Sequence, residues 1–287
     1  MRLVRFGEKG FERPGALDAQ DVIRDLSPVI GEIGADALSP AGLDRLRGIA
    51  LHELPAVPSR QRIGCPVGAI GKVVGVGLNY RDHAAECELA LPAEPTLFLK
   101  ATSAITGPDD PLVFPRGARK VDWEVELAVV IGSAGSEIDV SDALQHVAGY
   151  AVGIDFSERD FQFNRGGQGF KGKSADSFGP LGPWLVTRDA VADPGDLTLT
   201  LSVNGTVRQR GTTAEMVFSV PYLISYISGF MSLQPGDVIL TGTPAGVGMG
   251  QKPQQYLNHG DVVTAAIEGL GTQSHAVVGV PVRSIQT

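Results

Sequence analysis

Hydrophobic and polar positions alternate over short stretches along most of the chain, and glycine or proline stops nearly every stretch. Residues 197–203 read LTLTLSV, a period of two that predicts a half-buried strand. Asn204-Gly205 then predicts a tight turn and residues 207–210 the returning strand of a hairpin. Further strands are predicted at 3–6, 21–26, 72–77, 124–131, 149–154, 184–187, 238–241, 262–267 and 275–282. Helical patterns are fewer. Ser39 is a plausible N-cap with Pro40 at the first helical position, and helices are predicted at 79–91 and 141–146. Residues 219–230 (SVPYLISYISGF) are apolar all round, which predicts a buried helix.

Composition sharpens this picture. The 37 glycines and 19 prolines among 287 residues disfavour a helical bundle, and the 43% hydrophobic content excludes a disordered tract. The fold class expected is α+β and sheet-dominated. Pro55, Pro58 and Pro66 punctuate a link that sets a boundary near residue 70, giving a small N-terminal α/β accessory domain (1–70) and a larger domain (71–287). A net charge of −8 with no basic block argues against nucleic-acid binding. No apolar run approaches a bilayer span, the N-terminus lacks an apolar leader, and only Cys65 and Cys87 are present. These features predict a reduced, cytoplasmic protein that is not membrane-bound.

Candidate chemistry concentrates in four segments. In DWEVELAVVI, strand alternation places Trp123, Val125 and Leu127 on one face and Asp122, Glu124 and Glu126 on the other. Carboxylates so close raise one another's pKa unless a cation sits among them; an all-oxygen donor set points to Mg²⁺, Mn²⁺ or Ca²⁺ rather than zinc. From the acids alone a solvated acidic face on an edge strand is the simpler reading; against it, the strand runs directly into the apolar residues 127–131, the pattern of an interior strand carrying its acids into a pocket. Asp155 ends an apolar strand, as a ligand or as the cap of the following turn, with Arg159 and Gln162 about one turn beyond. His83 and Glu86 fall three residues apart on one helix face, where a carboxylate would orient an imidazole. Cys87 has no evident histidine-plus-cation setting. Residues 238–248 end a strand in Thr-Gly-Thr-Pro followed by glycines, a loop able to donate backbone N–H groups to a carboxylate or oxyanion. Residues 167–174 (GQGFKGKS) satisfy the phosphate-loop pattern letter for letter. Yet no strand precedes them, and Gly179, Pro180, Gly182 and Pro183 forbid the required helix after them, so nucleotide hydrolysis is rejected.

The order of these segments — GLNYRDHAAE, FLK, DWEVELAVVIG, DFSERDxQ, GKSxDSFGPLGPW, TGTPAGVG — resembles the fumarylacetoacetate hydrolase family over residues 72–282. The resemblance implies a mixed β-sandwich roll, a homodimer, and Glu124, Glu126 and Asp155 as ligands to Mg²⁺ or Mn²⁺. It implies that His83 and Glu86 form a water-activating dyad on a mobile lid, with Lys173 near the metal. Arg81, Lys100, Arg159, Gln162 and Thr243 match substrate-binding positions, while Ile154 stands where many members carry Asn. The implied reaction is cleavage of a 2,4-dioxo acid to pyruvate and a carboxylate, with a 2,4-diketo-3-deoxy sugar acid such as diketo-deoxyrhamnonate or -fuconate as the best substrate guess. Decarboxylation or keto–enol isomerisation of a 2-oxo acid on the same site is the alternative, and a non-catalytic metal-stabilised binding protein a more remote one.

Overall fold

A computed structural model describes residues 1–279 of the chain. The first seventy residues supply β1 (Arg2–Phe6), β2 (Arg13–Leu17), β3 (Ile23–Asp25), α1 (Ala35–Leu38), α2 (Pro40–Arg47) and β4 (Ile63–Gly64). Helix α2 starts as its sequence predicts: the Ser39 hydroxyl accepts from the Gly42 N–H, and Pro40 opens the first turn.

The middle of the chain adds β5 (Val73–Gly77), α3 (Arg81–Glu86), β6 (Thr96–Lys100), β7 (Ile105–Thr106), β8 (Leu112–Val113), β9 (Val121–Asp122) and β10 (Val125–Ile131). Then come β11 (Val147–Ile154), β12 (Ser157–Glu158), α4 (Arg159–Asn164), α5 (Phe170–Lys173) and β13 (Gly179–Thr187). The chain ends in β14 (Thr198–Val203), β15 (Thr206–Thr212), α6 (Val220–Ser228), β16 (Val238–Leu240), β17 (Val262–Ile267) and β18 (Gly271–Val278). The predicted continuation of β18 to Val282 lies outside the described residues.

The architecture is mixed α+β, mostly sheet. An 11-stranded sheet runs β3-β2-β1-β13-β11-β10-β16-β5-β6, with β4 and β7 attached to β1 and β13, and a five-stranded sheet runs β15-β14-β17-β18-β8. The predicted hairpin is β14–β15, and its turn places Asn204 at φ 52° and Gly205 at φ 75°, the left-handed region that Asn-Gly tolerates. The main core lies between the two sheets, where Val125, Leu127 and Val129 of β10 meet Leu199 and Leu201 of β14 and Val263 and Ala265 of β17. On the opposite face of the large sheet, Ala128 and Val130 pack with Leu38, Leu43 and Leu46 of the N-terminal helices. Strand β1 pairs directly with β13, so the sheet runs without interruption from the first seventy residues into the rest. This layering makes β10 a central strand buried on both faces, which rules out the solvated edge considered for its acids.

Two expected helices are shorter in the structure. The helix expected at 79–91 closes after Glu86 because Glu88 turns into left-handed backbone at φ 57°. The segment expected at 141–146 is a single 3₁₀ turn, Ala143–His146. Gly179 and Pro180, which forbid a helix, begin a nine-residue strand instead.

Candidate active site

Strand β10 carries the centre of the site. Between β9 and β10 the ladder breaks at Trp123 and Glu124, so Asp122, Glu124 and Glu126 do not form one even row. Glu124 and Glu126 converge with Asp155, which follows the end of the neighbouring β11; one oxygen from each lies within 4.8 Å of the others, and all three residues are buried. Asp155 Oδ1 lies 2.6 Å from Lys100 Nζ yet receives no properly directed hydrogen bond. A buried oxygen with that open direction, inside an all-carboxylate donor set, fits a hard divalent cation. Glu124, Glu126 and Asp155 are the residues that could hold it.

Electrostatics argue the same way. Burial raises the Glu126 carboxyl, and the Asp155 and Glu124 carboxylates push it further, well above the usual range. Burial would raise Glu124 too, but the Arg159 guanidinium and the Lys173 ammonium hold it well below its ordinary value. Lys173 Nζ donates to Glu124 Oε2 and Asp155 Oδ2, 2.6 Å each; burial works against its charge, but those carboxylates overcome this and raise its pKa. Lys100 lies behind Asp155, away from the cavity wall, donating to the carbonyls of Phe178 (3.0 Å) and Lys173.

Asp122 has a different part. Its side chain is fully buried and accepts from Trp123 N–H (2.8 Å), Gly248 N–H (2.6 Å), Met249 N–H (3.0 Å) and Arg159 Nε (2.8 Å). Arg159 in turn reaches Glu124 Oε1 at 2.6 Å and Gln162 Oε1 at 3.0 Å, so its guanidinium orients a candidate ligand. Glu158 caps α4 by accepting from Phe161 N–H at 2.6 Å and also takes the Arg119 and Lys120 N–H groups, which fixes where Arg159 begins.

His83 and Glu86 meet as their spacing predicts, Nδ1 to Oε2 at 3.1 Å. Burial would lower the imidazole pKa, but the Cys87 thiol, Glu86 and Glu124 outweigh it and raise it to about 10. Cys87 corrects the expectation: one helical turn on from His83, its Sγ is 3.9 and 4.0 Å from the two ring nitrogens. The i, i+4 spacing carried that signal.

The glycine-rich loop after β16 donates its N–H groups to the protein's own acids: Gly242 to Glu126 (2.8 Å), Ala245 to Asp82 (3.2 Å) and Gly246 to Glu86 (2.9 Å), with Gly248 and Met249 on Asp122. Two of these bonds fasten α3 to the loop. Thr243 Oγ1 donates to the Val125 carbonyl and accepts from Gln209, both at 2.8 Å. Gln209 was missed by sequence reasoning. It is fully buried in β15 between two arginines, and its inward parity in the strand was the available signal.

His83, Glu124, Glu126, Asp155, Arg159, Gln162, Lys173 and Thr243 line one cavity of about 280 Å³. Glu86 sits behind His83, and Arg81 is turned to the Met216 carbonyl at 3.0 Å, outside that wall. A cavity with a cation site and an imidazole–carboxylate pair can bind a small chelating acid and move a proton beside it.

A model of the fumarylacetoacetate (FAA) hydrolase C-terminal region matches residues 72–278. A Burkholderia multivorans protein carrying only a provisional hydrolase name is 54% identical over 274 residues, covering 95% of this chain and 97% of its own. The solved fumarylacetoacetate hydrolase of the psychrophile Exiguobacterium antarcticum is 36% identical with a TM-score of 0.85, over 98% of this chain and all of that one. A Sphingobium maleylpyruvate hydrolase, solved with manganese(II) and pyruvate, is 32% identical with a TM-score of 0.82, over 98% of this chain and 100% of that one.

Proposed function

The chain belongs to the fumarylacetoacetate hydrolase family, and from that premise we propose that it is a metal-dependent hydrolase cleaving the C–C bond of a 2,4-dioxo acid to pyruvate and a carboxylate. One observation carries the reading: a buried trio of carboxylates and a His–Glu pair line or back the same small cavity. The pyruvate and manganese(II) named for the Sphingobium relative support the acid and the ion. Glu124, Glu126 and Asp155 would hold Mg²⁺ or Mn²⁺, which supplies Lewis-acid polarisation of the substrate's oxygens and neutralises charge that builds on them.

His83, held charged by Cys87, Glu86 and Glu124 while the carboxylate cluster is uncompensated, acts once neutral and takes a proton from water as that water adds to the distal C4 carbonyl. Glu86 keeps Nδ1 engaged, leaving Nε2 for the water. The C3–C4 bond then breaks: its electron pair passes to the pyruvyl fragment as an enolate, and the acyl fragment leaves as a carboxylic acid. His83 returns its proton to C3, giving pyruvate. Lys173 places a positive charge beside the developing enolate, and Arg159 keeps Glu124 in position throughout. The homodimer implied by the resemblance stands as part of this proposal; the sugar-acid side chain it also implies has to fit the cavity wall beyond the carboxylates.

The test is His83→Ala. Metal affinity should stay within a few-fold of wild type while acylpyruvate hydrolysis falls by about 10²–10⁴. Unchanged hydrolysis removes the dyad from the mechanism. Following pyruvate, CO₂ and enol absorbance separately distinguishes hydrolysis from decarboxylation and isomerisation.

A further inference from the structure

The cavity is chemically divided. Beyond the carboxylates, Lys173 and His83, its wall combines the polar Arg159, Gln162, Thr243 and Thr96 with an apolar set, Val76, Leu78, Leu89, Phe98, Phe163 and Met249. Leu89 is 53% exposed and Phe163 55% exposed, so two large apolar side chains sit uncovered at the rim. Leu78 holds left-handed backbone at φ 54°, a conformation that costs a branched residue about 1–3 kcal/mol and persists only where the surroundings enforce it. Those surroundings are visible: the adjoining Asn79 side chain bonds the Phe218 N–H at 2.8 Å and the Thr241 carbonyl at 2.8 Å.

Most of the polar groups facing this space are already engaged. Arg159 spends its donors on Asp122, Glu124 and Gln162, and the Thr243 hydroxyl both donates and accepts within the protein. Among the described residues, the Gln162 amide nitrogen and the Thr96 hydroxyl are the wall groups outside the carboxylate cluster and the His83–Cys87 pair that make no side-chain hydrogen bond. A polyol would bury several hydroxyls against carbon, and each one left unpaired is penalised by about 1–3 kcal/mol. An alkyl or aryl group has no such penalty and gains from leaving water. The volume of about 280 Å³ also limits the group to a short one.

We propose that the substituent beyond the cleaved bond is a short apolar group, alkyl or aryl, seated between Leu78, Leu89, Phe98 and Phe163. This rests on the acylpyruvate reading and replaces the sugar-acid side chain within it. The experiment compares valerylpyruvate with glyceroylpyruvate, which carry equal numbers of heavy atoms, using acetylpyruvate as the short reference and Mn²⁺-loaded enzyme. The expected kcat/KM for valerylpyruvate exceeds that for glyceroylpyruvate at least tenfold and exceeds that for acetylpyruvate. Equal or better turnover of glyceroylpyruvate overturns the proposal.

A binding arm separates this from failure of the reaction assignment. Calorimetry on the Mn²⁺-loaded protein should find 2-oxoheptanoate at least tenfold tighter than its terminally dihydroxylated counterpart of equal size. If no acylpyruvate is cleaved, the acylpyruvate reading falls, and that affinity ratio alone decides the apolar subsite: tenfold keeps it, equality removes it. Leu89→Ser and Phe163→Ser alter exposed positions and should leave Tm unchanged while shrinking the preference at least threefold. An unaltered preference in both overturns the placement of the subsite.

Discussion

Replacing Glu126 by Gln and Asp122 by Asn separates two acids that share one face in the sequence. With oxygens within 4.8 Å, each ionised pair among Glu124, Glu126 and Asp155 repels by about 3–4 kcal/mol at an effective dielectric of about 20. In the metal-free protein burial, reinforced by that repulsion, keeps a proton on Glu126 well above the usual carboxylate range. Glu126→Gln therefore substitutes one neutral group for another, and Gln still offers an oxygen to the Gly242 N–H. Its metal-free stability should stay within about 1 kcal/mol of wild type. Asp122→Asn instead takes away one of the two carboxylates on Arg159 and turns an amide against donors that met a carboxylate. Loss of one partner from a buried ion pair costs about 3–5 kcal/mol.

Metal dependence should show the opposite order. A ligand at 100-fold its Kd stabilises by about 2.7 kcal/mol, which for a chain of this size is roughly 4–5 °C in Tm. Thermal unfolding with and without Mn²⁺ should give Asp122→Asn a low metal-free Tm with an upward shift on adding the ion. Glu126→Gln should give a near-normal Tm and no shift. A retained shift in Glu126→Gln, or a loss of metal-free stability matching that of Asp122→Asn, refutes the assignment of ligand to one and anchor to the other.

Other outcomes follow from single residues. Gly246 adopts φ +107°, and a Cβ there would stand 2.0 Å from the Arg208 carbonyl oxygen, so Gly246→Ala should destabilise by about 3 kcal/mol in urea and slow turnover by shifting the N–H that holds Glu86; a change below about 0.5 kcal/mol contradicts this. Burial would raise the Asp110 carboxyl, but the Arg62 guanidinium, the Thr106 hydroxyl and the Gly107 N–H bring it down to about 2. A carboxyl lowered on folding contributes stability above the ordinary carboxylate range and loses it as pH falls toward 2, so Asp110→Asn should lower stability at pH 7 and flatten the decline between about pH 4 and 2. An unchanged acid limb in a denaturant series contradicts the pairing. His83 should titrate near 10 without metal, with burial opposing and Cys87, Glu86 and Glu124 favouring the charge, and should fall when Mg²⁺ offsets Glu124; imidazole resonances that ignore Mg²⁺ separate the two sites.

Much of this was legible in the sequence because local rules act over a few residues. Ser39 capped its helix, Asn204-Gly205 closed its hairpin, and the three-residue spacing joined His83 to Glu86. The unbroken run 127–131 foretold a strand buried on both faces. Illegible parts depend on partners far away in the chain. Asp122 reads like Glu124 until Gly248, 126 residues later, supplies its N–H. Strand β6 escaped notice because residues 96–100 are short and only half-buried, gaining their identity from pairing with β5. Gly179 and Pro180 signal a loop locally, yet pairing with β7 draws them into β13, which β11 takes up from Leu181 onward.

The loop after β16 also records the state of its surroundings in a form that deuterium can read. Five of its amides are closed by three different partners: Gly242 by a candidate metal ligand, Ala245 and Gly246 by α3, Gly248 and Met249 by the anchor of Arg159. If α3 lifts as the mobile lid that the resemblance implies, exchange should quicken at 245 and 246 while 242, 248 and 249 stay slow. One peptide of the chain thus reports separately on α3, on the candidate ligand and on the anchor, with no label attached to any of them.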